Sequence, residues 1–514
     1  MAENENVQVV PNPAEVVMGA GQDAPGTGSA GIKTQVPGQP STVTGLAEAT
    51  NGVDSGNLVQ PDIDEQLFKF KSDDTPLMQL MLKAKTVTVQ SAEVEHYMID
   101  EPKSRMFTNA EVSANTQKQS FALPLDGSDA HIAQEYGTLL LKGVDGYADD
   151  GKTKTPGKDM MLFVTGVSDN GPIVRAVNGP KQSSSDMFCT VPAIPQNTEI
   201  IVLSNACYET QQEVAPDLIV PQPTKLYLQK RIMNQIVSDY FESQKKKISF
   251  SKAIIAEAAI TNFKTRSNRT LWASRQGKWT VMGKNNTGVQ YVYSTEGVRW
   301  QFKRELQHSG KWTVEQVIGL AKMFFTGEDV PKTAVVLAGK NFLEGIQCID
   351  YSKHPEIQIT TKVNPVGWEV TNFHTVFGDL EFKREPTLDR LGWSNSAGIF
   401  GEDRLVHYKR VADHSFDEKV QGEEAKRNGL IVWDGLGLKG SCHIWVDGEG
   451  GKANDGAVVF HMWDKETAPE SPSENHVYYL NADCPAISAE AKLGTMWQWS
   501  NSEWKEYEGE VDFK

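Results

Sequence analysis

Apolar and polar positions follow two periods along this chain, and the clearest helical one runs from Thr313 to Gly327. Val314, Val317, Ile318, Ala321, Phe324 and Phe325 share one stripe, while Glu315, Gln316 and Lys322 fall outside it. Thr313 is placed to cap this helix, Gln316 three residues on completes a capping box, and Gly327 stops it. Past Pro331, the run Ala334-Val335-Val336-Leu337-Ala338 ends at Gly339, the pattern of a short strand buried on both faces. A one-sided helix feeding a buried strand marks a core of mixed elements.

Upstream, Asp74 or Thr75 can cap a short helix with Pro76 at its first position. The period then changes to two: Thr86-Val87-Thr88-Val89 and Glu93 to Tyr97 read as half-exposed strands, and Met106 to Leu125 as a long extended excursion. Residues 136–207 read as a small β module, with strands at Tyr136–Leu141, Met161–Val167, Ile173–Val177 and Glu199–Leu203 and a hairpin turn at Asp169-Asn170-Gly171. From about 216 the pattern predicts a helix capped by Thr224, carrying Leu228, Ile232, Ile236 and Tyr240 and ending in Lys245-Lys246-Lys247, which read as offsetting its negative C-terminus in preference to a phosphate-binding patch. A second, long helix is expected from Ser249 or Ser251 to Trp272. Short strands follow at 368–382, then a return segment from Leu405 to Val446. Trp463, Trp497, Trp499, Trp504 and Tyr507 make the last stretch a small β appendage, its rings a sheet core in preference to a sugar-stacking platform.

Composition narrows the class. Length, 514 residues, allows two to four domains, and 39% hydrophobic with 23% charged residues is ordinary for a globular chain. No apolar run approaches the roughly 20 residues that span a bilayer, and the first residues carry neither a basic nor an apolar segment, so neither a membrane span nor a secretory signal is expected. A net charge of −16 argues against broad, non-specific nucleic-acid binding. Five scattered cysteines fit free thiols in a reducing compartment. Residues 1–60 are rich in Gly, Pro, Ser, Thr and Ala with no aromatic residue, the composition of a flexible arm.

Candidate chemistry is sparse. Gly435-Leu436-Gly437-Leu438-Lys439-Gly440 matches G-x-G-x-x-G, but Ser441 to Val446 behind it has strand character, where a dinucleotide site needs a helix; a glycine-rich turn is expected. The ten histidines show no metal-ligand spacing, and no phosphate loop or nucleophile elbow is present in the sequence. Asp447-Gly448-Glu449-Gly450 and Asn454-Asp455-Gly456 read as turns. No catalytic, cofactor-binding or metal-binding residue is therefore assigned, no cofactor is expected, and the chain is not expected to be an enzyme.

In order, the chain shows a flexible arm, an extended excursion, a long helix, an amphipathic helix with a buried strand, and a returning β segment. Ser72-Asp73-Asp74-Thr75-Pro76-Leu77, Pro192-Ala193-Ile194-Pro195 with Ile200-Ile201-Val202-Leu203 and Tyr208-Glu209-Thr210, the helix at 313–326 with Val335 to Lys340, and Phe377-Gly378-Asp379-Leu380 are similar to the major capsid proteins of tailed bacteriophages. The resemblance covers roughly 62–446 and implies an α+β fold of the Hong Kong 97 type; more loosely, the chain resembles those of crAss-like phages of gut bacteria. It implies a flexible N-terminal arm (1–60), N-arm and extended loop (61–135), an inserted β module (136–215), a peripheral domain with a spine helix (216–330), an axial domain (331–404), a return to the peripheral domain (405–446) and a C-terminal β appendage (447–514). It also implies a structural virion protein that self-assembles into hexamers and pentamers of an icosahedral shell. The implied partners are portal, scaffolding, auxiliary capsid or head-fibre proteins, with double-stranded DNA packaged inside without sequence-specific binding and no membrane. The implied location is the virion capsid, after synthesis in the host bacterial cytoplasm. The family's lysine–asparagine cross-link matches no pair here. The alternative is a surface-binding, adhesin-like or glycan-binding protein with β modules.

Overall fold

The structure, a computed structural model, describes residues 75–509 except 99–102, 126–128, 130–131, 169–170, 215–220, 245–250, 285–287, 327–330, 355–357, 364–366, 475, 501 and 508. The arm expected at 1–60 and the lysines at 245–247 lie outside the described residues. Of two compact units, one contributes only residues 239–244 and 251–255 to the described chain, including the short helix α2 (Asp239–Ser243); everything else belongs to the other.

Helix α1 (Pro76–Lys83) starts on Pro76 and buries Leu77, Leu80 and Met81. After β1 (Lys85–Thr88) and β2 (Glu93–Met98), the chain builds a six-stranded sheet from β3 (Arg105–Phe107), β4 (Phe121–Ala122), β5 (Gly137–Tyr147), β6 (Lys154–Ser168), β7 (Gly171–Ala176) and β8 (Glu199–Asn205). Its order is β3-β8-β5-β6-β7-β4. Alternation sets its core: Met160, Leu162 and Val164 of β6 point inward with Leu139, Leu141 and Ile200. The excursion expected at 106–125 is therefore part of this module, because Met106, Leu123 and Leu125 complete the same core. β9 (Gln222–Tyr227) pairs antiparallel with β2, so the chain enters the module along one strand of a two-stranded ribbon and returns along the other.

The helix predicted from Thr224 is absent: β9 and β10 (Gln229–Ser238) occupy that stretch. A spacing of four is also a multiple of two, so Ile232 and Ile236 share a strand face as readily as a helix face, and ten-residue pairing of β10 with a later strand decides the outcome. The long helix does form, as α3 (Lys252–Ala273), burying Leu271 and Trp272 at its end. β11 (Gly277–Met282) and β12 (Val289–Ser294) pair only with each other.

Next come β13 (Arg304–Gln307), α4 (Val314–Phe324), β14 (Thr333–Ala338), α5 (Lys340–Gln347), β15 (Gln358–Val363), β16 (Glu369–His374), β17 (Asp379–Arg384), α6 (Pro386–Leu391) and β18 (Ala397–Gly401). A long antiparallel pair, β19 (Leu405–Lys419) and β20 (Ala425–Leu438), precedes β21 (Ile444–Asp447), β22 (Val458–Trp463), β23 (His476–Leu480), β24 (Met496–Ser500) and β25 (Glu503–Glu506).

Two further sheets result. One has eleven strands in the order β15-β16-β17-β14-β18-β21-β13-β22-β23-β24-β25, the other four in the order β1-β19-β20-β10. In the larger, α4 carries the expected capping box between Thr313 and Gln316 and lays Val317, Leu320 and Phe324 on β14 and β18. The opposite face of β14, Val335 and Leu337, packs with α1, Trp272 and Trp445. The C-terminal β segment extends this sheet, since β22 pairs in parallel with β13; Tyr507 packs into the main core and Trp497 into a satellite of it. Lys505, buried on β25, places its ammonium 3.6 Å from the ring centroid of Phe107, which fastens the module to the C-terminal strands.

Candidate functional site

Each motif that could have carried chemistry lands in framework. Gly435 and Gly437 lie within β20, and their missing side chains admit neighbours: a Cβ at Gly435 would meet Leu228 and Thr295 at 3.0 Å, and one at Gly437 the Tyr408 ring at 2.9 Å. No helix opens behind them; Gly440, at φ +81°, turns the chain towards β21. Asp447 accepts from Glu449 N–H at 3.0 Å, and Glu449 Oε1 accepts from Asn395 N–H at 2.9 Å, closing a turn. Asn454 N–H donates to Glu305 Oε1 at 2.9 Å, and its side chain donates to the carbonyls of Arg299 and Phe302.

Among the buried polar groups of the described residues, three nodes tie segments together. Arg299 and Glu305 make a bidentate pair at 2.7 and 3.1 Å beneath Trp445. Glu385, fully enclosed, accepts from Leu77 N–H at 3.1 Å, Thr387 N–H at 3.1 Å and Asn268 Nδ2 at 3.0 Å, joining α1, α3 and α6. Burial raises its carboxyl above the ordinary range, and these donors at two helix starts oppose that rise. Burial would likewise raise Asp434, but the His407 hydrogen bond at 3.2 Å and the paired Arg231 hold it below its usual value. Each acid faces donors that complete a joint between segments.

One imidazole pair stands apart. His461 Nε2 and His476 Nδ1, on adjacent strands β22 and β23, lie 2.8 Å apart with Tyr478 stacked on His461. Burial, then the charge of His476, pushes His461 down to about 4, and burial lowers His476 as well, so the pair disfavours taking on positive charge. Among the described residues, no group of three or more His, Cys, Asp or Glu side chains could hold a metal ion.

The surface is less ordinary than the interior. On the β11–β12 hairpin, Trp279, Val281, Met282, Val289 and Tyr291 are all exposed, on both faces. β10 is inverted: Arg231, Gln235 and Val237 are buried while Ile232 and Ile236 are each 54% exposed. The same outer face continues across the sheet through Ile431 and Trp433. Sequence reasoning missed both surfaces. The alternation of Trp279-Thr280-Val281 with Tyr291-Val292-Tyr293 could have flagged the hairpin, but its exposure could not be read from it.

No protein-family model matches the chain, and no curated protein matches its sequence. Among solved structures it is similar to the capsid of a native GTA particle (7% identity, TM-score 0.36, covering 78% of this chain and 98% of that one). It is similar to a structure from Mycobacterium phage Adephagia (7% identity, TM-score 0.35, covering 80% and 100%). It is also similar to the SrpI encapsulin of Synechococcus elongatus (10% identity, TM-score 0.30, covering 44% and 75%). All three scores lie below 0.5, and none of the three structures bears on a crAss-like origin.

Proposed function

We propose that this chain is a structural virion protein, the major subunit of a bacteriophage capsid, that assembles with copies of itself into a closed shell. The observation that carries this reading is the apolar surface left uncovered on extended elements, the β11–β12 hairpin above all. A two-stranded hairpin is marginal alone in water, and exposed contiguous apolar surface marks a protein interface. The Glu305, Glu385 and Asp434 nodes support a structural role, since they join segments of the chain.

In this reading α3 is the spine helix, the β2–β9 ribbon is the extended loop, and the six-stranded module is an insertion carried at its end. β14 to β18 with their helices form the axial part, and the long β19–β20 pair belongs with α3 to the peripheral part. Hexamers and pentamers of such subunits enclose double-stranded DNA, and portal, scaffolding, auxiliary capsid or head-fibre proteins attach to the shell. With a net charge of −16 the chain has no general basic field by which to grip the enclosed DNA. Synthesis takes place in the cytoplasm of the bacterial host. Electron microscopy of the purified protein, with and without co-expressed phage assembly factors, tests this: large closed particles are expected, and a small glycan-binding oligomer would favour the adhesin alternative.

A further inference from the structure

The inverted amphipathicity of β10 is the least expected feature of the surface. An edge strand normally turns charge outwards and apolar residues inwards. β10 does the reverse, burying Arg231 in an ion pair with Asp434 while Ile232 and Ile236 face out. Around them the sheet adds Ile431, Trp433, Val411 and Phe416, from strands registered alongside. The cations of this face lie over its rings: Lys230 at 5.5 Å and Arg410 at 3.9 Å from Trp433, and Arg427 at 5.2 Å from Phe416. It is an apolar floor edged by the cations Lys230 and Arg410, with Arg427 paired to Glu418 at 3.0 Å.

The β11–β12 hairpin has the complementary chemistry. One face carries Trp279, Val281 and Val292, the other Met282, Val289 and Tyr291, and neither strand contains a carboxylate. Its base is held by Lys278, whose ammonium contacts Glu93 Oε1 at 2.5 Å, and by Tyr293, edge-on to Tyr227 at 5.6 Å. Lys278 also lies over the Tyr291 ring, 4.9 Å from its centroid, whereas Trp279, on the opposite face and 49% exposed, leaves its ring open to the cations of the sheet. Within one chain the end of the hairpin lies beside the start of β10, where Thr295 N–H donates to Gln229 Oε1 at 3.4 Å, while Trp279, Ile232 and Ile236 stay exposed. Two different, matching, uncovered surfaces on one chain are what a heterologous, ring-forming contact requires.

We propose that the β11–β12 hairpin of one copy of this chain packs onto the outer face of the β10–β20–β19 sheet of the next copy. This rests on the shell reading, and it names which surfaces meet.

The test uses two full-length variants, a hairpin variant (Trp279→Lys with Tyr291→Lys) and a sheet variant (Ile232→Lys with Ile236→Lys), compared with the parent by sedimentation and electron microscopy. Each variant keeps one half of the contact. Each alone is expected to remain monomeric, with a melting curve like the parent's monomer, while an equimolar mixture forms a one-to-one complex that stops there. Assembly of either variant as in the parent, or no complex in the mixture, overturns the inference and leaves the shell reading standing if the parent forms particles. Small parent oligomers that both variants lose and the mixture restores as a dimer would support the contact and overturn the shell. A parent that stays monomeric, with no complex in the mixture, overturns both. If a lysine variant misfolds, Tyr291→Ser and Ile236→Thr replace the pairs, with self-association weakened at least tenfold as the supporting result. Retention by the sheet variant of full assembly, with loss only of double-stranded DNA binding, would assign the face to nucleic acid and overturn the contact.

Discussion

β14 and β10 both carry β-branched and aliphatic residues, yet β14 is finished within the chain and β10 is not. β14 lies between β17 and β18; Ala334, Val336 and Ala338 meet the α4 side of the core, and Val335 and Leu337 meet the side of α1 and Trp272. β10 has a neighbour on one edge only and turns its isoleucines outwards. The same residue types thus stabilise the fold in one place and, in the reading given above, assembly in the other.

The sharpest way to break this contrast is to place a charge on each side of it. Val317→Asp on α4 buries an unpaired carboxylate in the main core and should cost about 4 kcal/mol or more, enough to abolish cooperative melting. Ile232→Lys on β10 should change monomer stability by no more than about 0.5 kcal/mol. Similar melting curves for the two variants would erase the distinction between a finished and an unfinished surface.

A smaller effect is expected at the Glu385 node. Asn268→Leu removes the side chain that donates to Glu385 Oε1 and Thr387 Oγ1 and accepts from Met78 N–H at 3.0 Å, leaving buried polar groups unmatched. The loss should be about 3 kcal/mol in chemical denaturation. An unchanged midpoint would show that α1 is not held through this joint.

Acid should act on the finished region through its histidines. His461 is held down to about 4 from an ordinary 6.5, so the unfolded chain takes up a proton that the folded one refuses, and stability falls as pH drops from about 6.5 towards 4. His461→Gln should flatten the difference between melts at pH 7 and pH 4.5 by on the order of 2 kcal/mol, allowing for its partial exposure. His443, enclosed and also pushed down to about 4 by burial, keeps part of the slope in the variant. An unaltered slope would show that the imidazole pair opens before it titrates.

A milder effect than at the core is expected from Glu315→Lys, outside the buried stripe of α4. It exchanges a favourable for an unfavourable charge in the first helical turn and should cost about 0.5–1 kcal/mol, read as a small drop in melting temperature.

What could be read from the sequence was local. α4 with its capping box, β14 and most of α3 follow from spacing and end signals that neighbouring residues supply. What could not be read depends on pairing between distant segments. Thr224 to Tyr240 has a period that suits either element, and the ladder from Gln229↔Asp434 to Ser238↔Ala425 resolves it across some two hundred residues. The polar excursion at 106–125 joins its sheet through Arg105↔Ile201 and Phe121↔Val174, and the tryptophan-rich tail joins the main sheet through Arg304↔Val458. The candidate surfaces were hidden for a further reason: alternation reports two faces of a strand but not which one the chain covers.

The central claim is that this chain is built to be completed by copies of itself, and electron microscopy of the purified full-length protein over a range of concentrations tests it most directly. Closed particles many subunits in size, formed cooperatively above a threshold concentration, are the predicted result. A stable monomer at every concentration, with and without co-expressed assembly factors, would contradict it.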